Sequence, residues 1–153
     1  MFIAALFVMS LGIALVTRGN LGTTPISSLP LVSAYASDLT FGETTFLINL
    51  LFVAAQWILL RRSINKVLLL AQIPITLAFS YFIDTSMKFT EFLSSDVYWK
   101  CFAVSMLGNV VLGLGVALEV FSGAAALPGE GLVLAVSTVL HKPFSSVKIA
   151  NDV

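Results

Sequence analysis

Long stretches with almost no charged residue constrain this chain more than any other feature of its sequence. Residues 1–17 and 67–83 carry no charge, and residues 41–60 and 99–118 carry one charge each. About 20 helical residues cross the roughly 30 Å hydrocarbon core of a bilayer, and fewer suffice where flanking side chains reach the interface. We therefore expect four transmembrane helices over these stretches, joined in an all-α polytopic bundle.

The composition argues against a globular domain in water. Only 10% of the 153 residues are charged and 58% are hydrophobic, whereas a soluble domain carries about 25% charged residues. Eight basic and eight acidic residues give a net charge of zero, and they form no runs that would attract nucleic acid. We expect the lipid bilayer to be the main partner of this protein.

The charges in the loops predict the orientation of the spans. The connection Arg61–Lys66 holds three basic residues, and basic loops stay on the cytoplasmic side of a membrane. Residues 84–100 hold three acidic and two basic side chains, so we expect this loop outside. Counting back from these loops places the N-terminus in the cytoplasm. The first span lacks the basic leader of a secretory signal peptide, so we expect it to be retained.

Residues 18–40 fit neither a membrane span nor a hydrated loop. Gly19 and Gly22 favour a helix end, whereas Thr24 followed by Pro25 is typical of a helix start, because the hydroxyl can cap and proline needs no amide partner. The apolar stretch that follows is too short to cross a bilayer. Non-helical backbone at membrane depth is tolerated only where protein or a water-filled cavity surrounds it. We therefore predict a re-entrant half-helix that starts near Pro25.

The same pattern returns 103 positions later. Sliding the chain on itself by that distance aligns identical residues without a gap. These pairs are Gly12 and Gly115, Ala14 and Ala117, Leu15 and Leu118, Pro25 and Pro128, Leu29 and Leu132, Leu31 and Leu134, and Phe41 and Phe144. A unit with three spans reverses the orientation of the next unit, so the sequence predicts two inverted-topology repeats.

The first predicted repeat covers residues 1–83, and the second covers residues 99–153 with a span at 99–118 and a broken segment at 122–142. The second repeat stops where its next span should begin, so we expect a truncated chain that lacks about forty residues. Half-helices that enter from opposite faces would meet near the midplane. Their amino ends carry partial positive charge, which suits an anionic group.

Three segments of the chain resemble a known family. They read "GNLGTTPISSL", "LTFGETTFLINLLFVAAQ" and "LPGEGLVLAVSTVLHKPFSSVKIANDV", and together they are similar to the bacterial YczE/YitT-type integral membrane proteins. The positions that carry the resemblance are Gly22, Pro25, Gly42, Asn49, Pro128, Gly131, Lys148 and Asp152. The resemblance implies a multi-pass protein of the bacterial cell membrane without a defined biochemical activity.

The candidate ligand-pathway residues are polar, charged or helix-starting residues near the two breaks and on the faces of the spans. They are Arg18, Thr23, Thr24, Pro25, Ser27, Ser28, Asn49, Asn109, Glu119, Pro128, Glu130, Lys148 and Asp152. Each also has a structural explanation. Amide side chains hold membrane helices together, Arg18 and Glu119 can anchor helix ends, Glu130 suits a helix start, and Lys148 and Asp152 are spaced for an ion pair.

The sequence predicts neither an enzyme nor a bound metal or cofactor. One histidine, His141, and one cysteine, Cys101, cannot furnish a metal set or a nucleophile with its base. We expect His141 in a loop and Cys101 as a small buried side chain. Two functions stay open: a permease or exporter of small solutes, and a non-transporting membrane scaffold or regulatory partner of another protein. The sequence leaves homo-oligomer formation open.

Overall fold

The computed structural model is built from helices. It describes residues 1–59, 66–94, 97–122, 127–140 and 142–152, and within those ranges the regular structure consists of seven α-helices and one 3₁₀ turn. The helices are α1 (Phe2–Arg18), α2 (Pro25–Ala36), α3 (Phe41–Leu59), α4 (Lys66–Phe89), α5 (Tyr98–Ser122), α6 (Pro128–Leu140) and α7 (Phe144–Asp152), and the 3₁₀ turn Glu91–Leu93 follows α4. The all-α prediction is confirmed.

Two of the described helices, α3 and α5, are long and apolar enough to span a bilayer. The apolar helices α1 and α6 are shorter, and α4 continues beyond the predicted end of its span at Ile83 to Phe89. Four spans and their orientation therefore stay a prediction. Arg61, Arg62, Asp96 and His141, on which parts of that prediction depend, lie outside the described residues.

Helices α1 and α5 pack closely against each other, and glycine makes this closeness possible. A Cβ atom added to Gly12 would lie 2.6 Å from the backbone of Leu112, and one added to Gly108 would lie 2.6 Å from the backbone nitrogen of Val16. Because residue numbers rise on α1 as they fall on α5, the two helices are antiparallel. Small residues allow such direct backbone contact between helices.

Helix α4 packs against both α1 and α3. Ser10 and Ser86 share a buried hydrogen bond of 3.2 Å between α1 and α4. The apolar core lies where these three helices meet, and its buried members are Leu6, Met9, Ile13, Phe41, Phe79 and Ile83. Helix α2 packs against α3, and α6 packs against α3 and α7, so both short helices depend on α3 for their position.

The start of α3 is fixed by a carboxylate from another helix. Asp84 of α4 accepts hydrogen bonds from the Gly42 amide at 2.8 Å and from the Thr40 hydroxyl at 2.7 Å. Thr40 and Glu43 form a capping box, since the Thr40 amide donates to Glu43 at 2.8 Å and the Glu43 amide donates to the Thr40 hydroxyl at 3.1 Å. Asp84 therefore joins two helices and is not the start of a loop.

We expect Asp84→Ala to lower the free energy of unfolding by about 1–3 kcal/mol, because the Gly42 amide and the Thr40 hydroxyl lose their acceptor. Thermal unfolding of the detergent-solubilised protein measures this effect. Glu91→Ala serves as a control, because Glu91 is an exposed acidic residue in the 3₁₀ turn. Equal stability of Asp84→Ala and the unmodified protein would contradict the proposed cap.

Candidate functional site

A cavity of about 210 Å³ lies where the two short helices begin. Residues from the starts of α2 and α6 line it together with residues from α1, α3, α4, α5 and α7. Apolar side chains that line it include Met9, Ile13, Ile48, Phe79, Leu112 and Val116. The polar lining residues are Thr24, Ser27, Thr45, Asn49, Glu130 and Lys148. The two helix breaks that the sequence indicates therefore meet at one cavity.

The start of α2 follows the predicted pattern in its backbone but not in its cap. Pro25 occupies the first position after an extended Thr24, so the predicted helix start is confirmed. The predicted cap from the Thr24 side chain is wrong, because its hydroxyl donates to Ser27 Oγ at 2.8 Å and makes no capping bond to the backbone. Pro30 lies inside the helix and lines the cavity.

The start of α6 is held by α2 and by α3. A Cβ atom on Gly129 would touch Ile26 at 3.4 Å, an ordinary contact distance, so the two helix starts lie side by side. Gln56 of α3 donates from Nε2 to the Pro128 carbonyl at 3.0 Å. A side chain at Gly131 would collide with the amide of Gln56. The position of α6 is thus fixed by a polar contact with α3.

Two polar side chains in the cavity wall have unused hydrogen-bonding groups. Asn49 is only 7% exposed, and its side chain makes no hydrogen bond within the described part of the chain. Ser27 is 8% exposed and accepts the Thr24 hydroxyl, while its own O–H has no acceptor among the described residues. Both side chains line the cavity, so their unused groups are available to a molecule that enters it.

Comparisons with known proteins identify the family of the chain. Residues 1–153 match a family of unknown function, DUF6198. The chain belongs to DUF6198. No curated protein and no solved structure matches it. Membership in DUF6198 assigns no activity, and the resemblance to the YczE/YitT-type proteins stays a prediction.

Several predicted pathway residues of this DUF6198 chain do not line the cavity. Arg18 donates to the Met87 carbonyl at 2.9 Å and to Ser94 at 3.3 Å, and so joins the ends of α1 and α4. The Thr23 hydroxyl lies 3.5 Å from the Thr17 hydroxyl. These contacts support the structural explanation for Arg18, a side chain that anchors a helix end.

Ser28 and Asn109 also lie outside the cavity, because each is exposed and bonds its own helix. Ser28 donates to the Pro25 carbonyl at 2.6 Å, and Asn109 donates to the Ser105 carbonyl at 3.0 Å. Pro128 is buried beside the cavity, next to lining residues. The side chain of Asp152 lies outside the described residues, so its predicted ion pair with Lys148 stays a prediction.

Glu119 lies near the start of α6 but does not line the cavity of this DUF6198 chain. It is 5% exposed, and neither carboxylate oxygen has a hydrogen-bond partner of good geometry in the part of the chain that the structure describes. Glu130 of α6 is a neighbour of Glu119 with the same charge. Of the two predicted acidic residues, Glu130 therefore lines the cavity, whereas Glu119 is buried in the protein interior.

Gln72 belongs to the polar interior of the DUF6198 chain and is not among the residues predicted for the site. Its amide pairs with that of Gln56 at 3.4 and 3.5 Å, next to the start of α6. A glutamine within an otherwise apolar span was the available signal. Cys101 is buried as predicted. Among the described residues, no group of three or more histidine, cysteine, aspartate or glutamate side chains could hold a metal ion.

Proposed function

We propose that this protein spans the bilayer several times and acts as a permease or exporter of small solutes. The observation that carries the proposal is the cavity shared by the starts of α2 and α6. Broken helices whose amino ends meet inside a bundle are typical of substrate sites in secondary transporters. A helix arrangement similar to that of secondary transporters assigns no activity by itself. The proposal therefore also depends on the unused polar groups of Asn49 and Ser27 in the cavity wall.

The course of the chain around α2 supports a re-entrant segment. Arg18, at the end of α1, bonds the Met87 carbonyl near the end of α4. Thr24 then lines the cavity beside Met9 and Ile13, which lie in the middle of α1. Helix α2 leads to the start of α3, which is bonded to Asp84 near the same end of α4. The chain thus enters from one end of the bundle and returns there.

The contacts between α1 and α5 support two inverted repeats, residues 1–83 and 99–153. At the repeat distance of 103 positions, Met9 corresponds to Leu112 and Gly12 corresponds to Gly115. Gly12 faces Leu112, and Gly115 faces Met9. Contacts that exchange in this way are expected where a two-fold axis relates two equivalent surfaces. In our proposal, α1 and α5 are equivalent helices of opposite direction.

The outer surface of α5 favours lipid as its surrounding. The large apolar side chains that are more than half exposed there include Met106, Leu107, Val110, Leu114, Val120 and Phe121. An apolar surface of this kind is unfavourable in water and marks a membrane or protein contact. Exposed Trp57 near the end of α3 and exposed Tyr98 and Trp99 at the start of α5 suit the two membrane interfaces.

Solute flux into proteoliposomes tests the proposal. We expect at least one solute from a panel of small organic anions, cations and neutral compounds to cross faster than in protein-free vesicles. Asn49→Leu is expected to slow that flux at least tenfold, because it removes an unused amide from the cavity wall. Asn109→Leu is the matched control and should leave the flux unchanged, since Asn109 is exposed and bonds its own helix. Absence of flux for the whole panel would overturn the proposal.

Thiol labelling separates a permease from a scaffold or regulatory partner. Cys101 is first replaced by alanine, and Ser27→Cys is then exposed to a membrane-impermeant thiol reagent in reconstituted vesicles. A solute pathway predicts labelling of Ser27→Cys from water, and slower labelling when a transported solute is present. Complete protection of Ser27→Cys from both sides of the membrane would favour the scaffold.

A further inference from the structure

The unused groups in the cavity are hydrogen-bond donors on neighbouring walls. Ser27 Oγ already accepts the Thr24 hydroxyl, so its own O–H is left to donate into the cavity. The Asn49 amide group adds N–H donors from α3. Both side chains are more than nine-tenths buried, and both line the cavity. A ligand in the cavity that accepts hydrogen bonds could therefore use both donors.

The charge around the cavity favours a negatively charged ligand group. Two helices begin at this cavity, and a helix start carries partial positive charge and amide donors. Lys148 and Glu130 both line the cavity and bring opposite charges, so they offset each other. The helix starts and the two donors therefore decide the sign of the ligand. An ammonium group would find acceptors in Asn49 Oδ1 and Glu130, but it would lie against the partial positive charge of the two helix starts and leave both donors unused.

The remainder of the cavity suits an apolar chain of limited length. Phe79, Leu112 and Val116 contribute to the apolar part of the lining. The volume of about 210 Å³ equals the space of about seven water molecules at roughly 30 Å³ each. This volume is smaller than the roughly 300–1,000 Å³ of ordinary small-molecule sites. The cavity therefore has room for at least a short aliphatic solute.

We propose that the cavity binds a short aliphatic monocarboxylate, with the carboxylate directed to Ser27 and Asn49 and the aliphatic chain against Phe79 and Val116. This inference rests on the proposed function, because it names the class of solute for the same site. A carboxylate accepts from both donors at once, and charge-assisted bonds of this kind are stronger than bonds between neutral groups.

Calorimetric titration of the purified protein in nanodiscs tests the inference with three matched probes, butyrate, butyramide and butylamine. The three share their aliphatic chain and differ in the charge and hydrogen bonding of the polar group. We expect butyrate to bind at least tenfold more tightly than either of the others. Equal or tighter binding of butyramide or butylamine would overturn the inference, and so would the absence of butyrate binding.

Two variants and two matched controls locate the binding site. Ser27→Ala and Asn49→Leu are each expected to weaken butyrate binding at least tenfold. Ser28→Ala and Asn109→Leu remove the same chemical groups outside the cavity and should leave the affinity unchanged. Thermal unfolding of each variant shows whether it is folded, and a folded Asn49→Leu variant with unchanged butyrate affinity would overturn the inference.

The outcomes for binding and for transport are separable. Flux of neutral solutes without carboxylate binding would overturn this inference and support the proposed permease. Butyrate binding that depends on Ser27 and Asn49, with no flux of butyrate or of any other solute, would support the binding site and overturn the permease. Butyrate flux that is lost in Asn49→Leu would support both.

Discussion

Gly12→Ala is expected to lower the free energy of unfolding by up to about 3 kcal/mol, the upper range for overpacking an interior. The added methyl group would lie 2.6 Å from the Cα atom and the backbone nitrogen of Leu112. A backbone atom cannot turn away as a side chain can, so α1 and α5 must separate. Gly115→Ala should have a similar effect, because its methyl group would lie 2.7 Å from the backbone nitrogen of Met9.

The matched control for these variants is Gly113→Ala on the same helix. A Cβ atom at Gly113 would have no other atom within 4 Å, and alanine favours helix over glycine by up to about 1 kcal/mol. Gly113→Ala is therefore expected to be neutral or stabilising. Thermal unfolding in one detergent measures all three variants. Equal unfolding temperatures for Gly12→Ala and Gly113→Ala would contradict the close crossing of α1 and α5.

Gln56→Leu is expected to lower the free energy of unfolding by about 2–3 kcal/mol, because the buried Pro128 carbonyl loses its side-chain donor. Gln56 is 2% exposed, so water has little access to replace the amide. Leucine has a similar size, and the change therefore tests the hydrogen bonds more than the packing. The start of α6 should become less ordered, and hydrogen exchange at Gly131 should become faster.

Asn109→Leu is the comparison for Gln56→Leu. It removes an amide from a long apolar helix, but this amide is exposed and bonds only its own helix. We expect its stability to change by no more than about 0.5 kcal/mol. If Gln56→Leu were as stable as Asn109→Leu, and Gly131 exchange were unchanged, the polar contact would not hold α6 in place.

Local signals allowed the helix starts of the two breaks to be predicted. A proline restricts its own backbone and that of the residue before it, so Pro25 and Pro128 start helices as expected. The Thr24 side chain does not cap α2 as predicted, because its hydroxyl bonds the nearby hydroxyl of Ser27 instead. Short-range backbone preference was readable from the sequence, but the choice between two short-range partners was not.

The end of α4 could not be predicted from its charges. Asp84 was interpreted as the first residue of a loop, because a carboxylate is unfavourable within an apolar span. In the structure it bonds the Gly42 amide and the Thr40 hydroxyl, residues more than forty positions earlier in the chain. A contact of that kind depends on which helices meet, and no local pattern contains that information.

The candidate site was predicted in part. Of the residues that the pathway hypothesis names, Asn49 and Ser27 line the cavity, whereas Asn109 and Ser28 bond their own helices outside it. The two amides lie on similar apolar helices and cannot be distinguished by residue type. What separates them is the packing around each helix, because α3 is covered by α2, α4 and α6 while Asn109 is exposed on α5.

Pro30 has a mechanical consequence for the first turn of α2. Proline has no amide hydrogen, so the Ile26 carbonyl lacks the bond that a regular helix would supply four residues later. The turn that carries Ser27 is therefore tied to the remainder of α2 by fewer backbone bonds than an unbroken helix would provide. Small tilts of this turn, which carries a residue of the cavity lining, therefore cost less than bending a regular helix.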